Sequence, residues 1–243
     1  MVNKNKLQSF ISKYYLGQFK QAKWRIDNNE LKVYVGGSGL AAHVHMKDFS
    51  LEDGELAIFD TNKLQKLIAI TSGDLLLSVS KQNQLSDKLN ISDANFELSY
   101  SLSDPFIIPK IDWYKDLDWD IELDLTRDDI DNLLKAKNSL AEYDILVVKG
   151  VKNLDNQNVC EFVFGDNTNF SSKVNYQIEG KVNDEFLSIQ IPFNSHHLKE
   201  ILNVNKDSEN TKLFISTKGL AKITFDNEEM SSIYYITRNE QTI

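Results

Sequence analysis

Leu56-Ala57-Ile58-Phe59-Asp60-Thr61-Asn62-Lys63-Leu64-Gln65-Lys66-Leu67-Ile68 contains a change of period. The apolar run Leu56 to Phe59 reads as the end of a strand. Leu64, Leu67 and Ile68 then follow Phe59 at five, eight and nine positions, a spacing that puts all three on one helical face. Asp60 or Thr61 offers the side-chain oxygen that a helix start requires for its free first-turn amides. The same offsets recur along the chain. From Val2 they reach Leu7, Phe10 and Ile11. From Leu125, which ends the alternating strand Trp119-Ile121-Leu123, they reach Ile130, Leu133 and Leu134. From Phe193, at the end of Leu187-Ile189-Ile191, they reach Leu198, Ile201 and Leu202. Asn3, Thr126, and Asn194 or Ser195 stand at the matching helix starts.

Three strand-like segments follow each helix. They are Ala22 to Ile26, Glu30 to Val35 and Ala41 to Met46; Leu75 to Ser80, Lys88 to Ile91 and Phe96 to Leu102; Tyr143 to Lys149, Val159 to Phe164 and Val174 to Ile178; and Leu213 to Thr217, Ala221 to Phe225 and Ser232 to Thr237. Asp27-Asn28-Asn29 and Gly36-Gly37-Ser38-Gly39 suit hairpin reversals. The repeat is therefore βαβββ, written four times. One short amphipathic helix covers only part of a sheet, so a single copy cannot close a core. Two copies side by side place two helices on one antiparallel layer. The expected class is α+β: two similar domains, residues 1–104 and 117–243, each of two βαβββ units with helices on one face of antiparallel sheets. Residues 105–116, with Pro105 and Pro109, read as an extended connector.

Composition agrees with two modest domains. The 243 residues are 41% hydrophobic and 26% charged, enough for two small cores. The start reads as no signal peptide, and no stretch approaches the roughly 20 apolar residues of a membrane-spanning helix. The single cysteine, Cys160, has no intramolecular partner, and its neighbours Val159, Phe162 and Phe164 make it a packing thiol. A cytoplasmic protein is expected.

A net charge of −9 argues against holding nucleic acid by a globally basic surface. The charge is unevenly placed, however. Windows 2–13, 59–70, 125–137 and 193–204 carry nine cations: Lys4, Lys6, Lys13, Lys63, Lys66, Arg127, Lys135, Lys137 and Lys199. Against five acids these give the helices +4 and leave −13 for the remainder. Asp128 and Asp129 complement the positive end of the third helix.

Four strand-to-helix junctions, two domains joined by a connector, and basic helices on an acidic body resemble the DNA polymerase sliding clamps, including proliferating cell nuclear antigen. The likeness extends over the whole chain and is nearest to the clamps of large tailed bacteriophages. It is carried by Leu56 through Leu64, Leu125-Thr126 through Leu133-Leu134, and Thr217-Lys218-Gly219-Leu220-Ala221-Lys222-Ile223. The resemblance implies a DNA clamp fold and a non-enzymatic homotrimer of six domains that encircles double-stranded DNA. Its helices would line the hole with the nine cations facing DNA without reading sequence. It also implies edge strands paired between subunits, a clamp loader and a DNA polymerase as partners, and a pocket for partner peptides near the connector. Phe106, Ile108, Trp113, Ile233 and Tyr235 are the expected lining of that pocket, drawn from apolar clusters at the connector and the C-terminal segment.

Competing chemistry finds little support in the residues. Asp116, Asp118, Asp120, Glu122 and Asp124 alternate with Leu117, Trp119, Ile121, Leu123 and Leu125, the period of a half-buried strand with a solvated face. His43 and His45 lie two apart on a strand with no completing ligand motif, so no metal and no cofactor are expected. His196 and His197 are adjacent at a helix start. Gly36-Gly37-Ser38-Gly39 lacks the lysine of a phosphate-binding loop, and no Gly-x-Ser-x-Gly occurs. The alternatives are a ring-forming structural or adaptor protein, such as a virion component that encloses no DNA, and a metal-dependent hydrolase built on the aspartate run.

Overall fold

Asn3, Asp60, Thr126 and Asn194 start the four helices, each accepting first-turn backbone amides with its side chain. At Thr126 the bond is reciprocal, because Asp129 reaches back to the Thr126 amide. The computed structural model describes residues 1–82, 85–111, 117–165 and 172–240. Two compact units divide the chain: Met1–Gly36, Ala42–Asp112 and Glu228–Ser232 form one, and Gly37–Ala41, Trp113–Asn227 and Ile233–Ile243 the other.

Chiefly in the first unit lie β1 (Val2–Asn3), α1 (Lys4–Tyr15), β2 (Ala22–Asp27), β3 (Glu30–Gly37), β4 (Leu40–Met46), β5 (Gly54–Ile58), α2 (Thr61–Ala69), β6 (Asp74–Gln82), β7 (Leu85–Ser92) and β8 (Glu97–Ser101). A 3-10 turn, Pro105–Ile107, follows. Chiefly in the second lie β9 (Ile121–Asp124), α3 (Arg127–Ser139), β10 (Ile145–Lys152), β11 (Asn158–Gly165), β12 (Lys173–Glu179), β13 (Lys181–Val182), β14 (Gln190–Asn194), α4 (Ser195–Val204), β15 (Asn210–Ser216), β16 (Leu220–Asp226) and β17 (Met230–Thr237). Apart from the short β13, the order is βαβββ repeated four times.

The copies are interlocked. In the first unit β1 joins the sheet of the second copy, giving the order β1-β6-β7-β8, while β5 joins the first copy alongside β2. The second unit repeats the exchange. There β14 pairs with β10 in the sheet β12-β11-β10-β14, and β9 pairs with β15. Each strand that leads into a helix thus belongs to the other copy's sheet, so neither copy can fold alone. The hairpins turn as their residues require. Asn28 and Asn29 take φ of 52° and 60°, and Ser38 and Gly39 take 51° and 78°, the left-handed pairs that match strand twist.

Leu7, Phe10, Ile11, Leu64 and Ile68 are buried in the first unit, and Ile130, Leu133, Leu134, Leu198, Ile201 and Leu202 in the second. In the first core Trp24 meets Phe10 and Phe49 edge-on, with centroids 6.1 and 6.3 Å away, and its indole N–H donates to the Tyr14 hydroxyl at 3.1 Å. Cys160 is fully buried, and that burial pushes its thiol pKa up, as suits a packing role.

One expected strand differs. Leu187 belongs to a 3-10 turn, Asp184–Ser188, and the strand begins only at Gln190. The turn sends Phe186 wholly into the core, and the Ile189 amide closes it on the Phe186 carbonyl at 3.1 Å. No helix among the described residues is long and apolar enough to cross a membrane.

Candidate nucleic-acid and partner interfaces

The nine helix cations are not equivalent. Lys63 and Lys66 on α2, and Arg127 and Lys135 on α3, extend into solvent. Lys6 is half-buried and lies 3.5 Å from the Glu229 carboxylate, and Lys199 is half-buried. Lys4 turns away from solvent toward the end of α2. Its ammonium donates to the Ala69 carbonyl at 2.8 Å and also to the Thr71 carbonyl. A cation there satisfies carbonyls that the helix leaves open and complements its negative end.

Besides Lys4, two further cations depart from the expectation that all nine face DNA. Lys13 is 2% exposed and Lys137 is 4% exposed. The Lys137 ammonium donates to the carbonyls of Ala141 at 3.0 Å and Tyr143 at 2.5 Å, closing the turn that leaves α3. Burial, helped by nearby Lys199 and opposed by Asp144 and Glu142, holds its pKa below the usual lysine range. Lys137 is spent on the fold at the end of α3, where unpaired carbonyls collect, and Lys13 is buried in the last turn of α1.

Three acids of the aspartate run are occupied as well. Asp120 accepts from the Thr217 amide at 2.7 Å, Glu122 pairs with Lys181 at 2.8 Å, and Asp124 pairs with Lys212 at 3.2 Å. Asp116 lies outside the described residues. Trp119 packs on Phe214, with Lys222 5.8 Å above the Trp119 ring. Among the described residues no group of three or more His, Cys, Asp or Glu could hold a metal ion.

His43 stacks on Tyr34 with centroids 4.1 Å apart and 7° between planes, and the Arg25 guanidinium lies over the Tyr34 ring, 5.8 Å from its centroid. Burial, then the charges of His45 and Lys32, pull the His43 pKa down to about 4. His45 Nε2 is 3.3 Å from the Glu30 carboxylate. At α4, His196 is exposed, while burial and His196 lower the pKa of His197.

Each unit also carries a concave site. In the first unit a cavity of about 480 Å³ is lined by Phe19, Tyr34, Val35, Phe59, Ile108 and Ile111, among others. Of the expected pocket residues that are described, Ile108 contributes to it, at 7% exposure. Phe106, two positions before Ile108, is 92% exposed on a 3-10 turn whose first amide is held by Asp104 at 2.9 Å. Trp113 lies outside the described residues. Tyr235 is 3% exposed, in a run where Tyr234, Tyr235 and Ile236 of β17 are buried in succession, and Ile233 is half-buried. In the second unit a groove of about 450 Å³ runs past Ile189 to Pro192, Thr217, Gly219 and Arg238 to Glu240. Both are assembled from segments distant in sequence, and no local signal marks Phe59 or Arg238 as lining residues.

No family model matches the chain, and no curated protein matches its sequence. Solved structures do match in fold. One is proliferating cellular nuclear antigen from Entamoeba histolytica, with a TM-score of 0.75 and 14% identity, covering 98% of this chain and 96% of that chain. Another is the structure of the C-terminal region of FEN-1 bound to A. fulgidus PCNA, with a TM-score of 0.75 and 12% identity, covering 100% of this chain and 98% of that chain. The chain has a PCNA-like fold of mixed α and β structure with antiparallel sheets.

Proposed function

We propose that the chain is a sliding clamp, a non-enzymatic processivity factor whose three copies form a ring around double-stranded DNA and tether a DNA polymerase. The observation that carries this reading is the fourfold βαβββ repeat in a PCNA-like fold with its exposed helix cations on an otherwise acidic chain. A chain of net charge −9 gains little affinity for phosphate at physiological salt. Encirclement removes the need for affinity, and Lys63, Lys66, Arg127 and Lys135 then act as mobile counter-charges along the duplex.

The two repeat pairs supply two domains, 1–104 and 117–243, and residues 105–116 serve as the connector. Three chains complete six domains. A clamp loader opens the ring, and the setting is the cytoplasm, that of an infected host if the nearest relatives are the clamps of tailed phages. Partner proteins insert an apolar side chain into the cavity beside Ile108 and Ile111, with the exposed Phe106 and Ile107 extending that surface.

The withdrawal of Lys4, Lys13 and Lys137 thins the basic lining and favours the second reading, a ring-forming adaptor without DNA. Light scattering across a wide concentration range tests the ring that both readings share. The 27.9 kDa chain is expected at about 84 kDa, and a strict monomer at every concentration contradicts it. Replacing Lys63 and Lys66 by Glu then separates the two. A clamp loses polymerase processivity at unchanged ring mass, whereas an adaptor supports none to lose.

A further inference from the structure

Each unit contains a four-stranded sheet with two end strands, and the two ends are held differently. β1 and β14 run directly into α1 and α4, so chain connectivity anchors them. β8 and β12 are the third strands after α2 and α3, and no helix follows either of them directly. Among the described residues each pairs with one neighbouring strand, β8 with β7 and β12 with β11. An end strand held on one side frays, and ordering it consumes part of any association free energy.

Both strands carry a tyrosine that ties them to a helix start. Tyr100 of β8 is buried. Its hydroxyl accepts from the Asp60 amide at 2.9 Å and donates to the Asp60 carbonyl at 3.2 Å, and Asp60 is the residue that caps α2. Tyr176 of β12 donates to Asp129 Oδ1 at 2.7 Å and accepts from Asn132 Nδ2 at 3.3 Å. Asp129 is itself fixed by the Thr126 amide and hydroxyl through its other oxygen. Burial pushes the Asp129 carboxyl pKa up, but the bonds from Thr126 and Tyr176 outweigh it and hold the carboxyl below its ordinary range. The two tethers reach the first turn of different helices by different atoms, so they are two solutions to one requirement.

The outward edges lack the usual guards against pairing. Glu97 is the sole charge on β8, at its first position, and the charges of β12, Lys173 and Glu179, stand at its two ends. Neither strand contains proline. Monomeric proteins commonly block such edges with central charges, prolines or bulges. A chain with two ordered, unguarded edges, one from each unit, can add a copy at each edge and so propagate head to tail.

We propose that Tyr100 and Tyr176 are positioning residues for self-assembly, each holding a free edge strand ready to pair with the other kind of edge on a second copy of this chain. The inference rests on the ring reading above. Losing one hydroxyl tether weakens association roughly fivefold per interface, and about a hundredfold in the overall constant for a ring with three interfaces.

The test is sedimentation equilibrium of the full chain as wild type, Tyr100→Phe, Tyr176→Phe and Tyr14→Phe. The control, Tyr14, lies on α1 and accepts from the Trp24 indole inside the first core. The expected result is weaker association for the first two variants, with Tyr14→Phe lowering thermal stability but leaving the association constant at the wild-type value. Hydrogen exchange in dilute monomer should show faster amides in β8 for Tyr100→Phe and in β12 for Tyr176→Phe. Wild-type association by both edge variants overturns the proposal while the ring stands, as does equal weakening by Tyr14→Phe. A wild-type chain that never associates overturns the ring reading itself.

Discussion

Replacing Lys137 by Met separates a lysine that builds the fold from one that meets DNA. The ammonium of Lys137 donates to the carbonyls of Ala141 and Tyr143 within a residue that is 4% exposed. Hydrogen bonds to a charged group contribute about 1.5–3 kcal/mol each. Part of that is offset in the variant, because removing the ammonium also removes its desolvation cost, the same cost that lowers its pKa. Methionine keeps the stem packing, the exposed Ala141 carbonyl can turn to water, and the Tyr143 carbonyl keeps the Ser195 hydroxyl at 3.0 Å, so the net loss is about 1–2 kcal/mol. At about 3 °C per kcal/mol for a unit of this size, the transition of the second unit falls by roughly 3–6 °C. Thermal and urea unfolding of Lys137→Met measure this against Lys66→Met, whose exposed side chain should change stability by less than about 0.5 kcal/mol. Wild-type stability for Lys137→Met, with lost DNA retention, refutes this assignment.

Three further outcomes follow from particular contacts. Leu64→Ala and Leu198→Ala empty matching positions on α2 and α4 and should each cost about 2–5 kcal/mol in urea unfolding, as buried leucines do. The folded His43 has a pKa of about 4 against an ordinary value of 6.5, so the unfolded chain takes up the proton first as pH falls. Stability is then full above about pH 6.5 and declines toward pH 4, by up to about 2 kcal/mol at pH 5, a slope that the urea midpoint of His43→Gln should reduce. Ile108→Glu places a carboxylate in the wall of the first-unit cavity and should abolish capture of a partner peptide with apolar side chains while leaving the native mass unchanged.

Much of the fold was legible because its signals are local. Asn3, Asp60, Thr126 and Asn194 are short polar side chains standing immediately before a 3.6-residue apolar period, and each caps the helix expected of it. Strand exchange between copies was not legible. Val2 against Leu75 and Leu123 against Leu213 are pairings across long separations, and alternation within a strand says nothing about its neighbour. Leu187 shows a related ambiguity, since an apolar residue every second position also fits a tight turn around a buried Phe186. Among the candidate site residues, composition identified the cations but could not divide them. Lys66 and Lys137 look alike in sequence; the difference is whether unpaired carbonyls lie within reach of the ammonium. The cavity at Ile108 was half legible, from the connector side only, because Phe19, Tyr34 and Phe59 arrive from three other segments.

Encirclement is tested most directly by retention on DNA of controlled topology. Protein assembled on linear duplex through open ends is challenged with high salt, which screens phosphate contacts, after both ends have been blocked or left free. The account predicts protein held on blocked DNA in high salt and released when a restriction cut reopens an end. Release that depends on salt and not on the ends would contradict it.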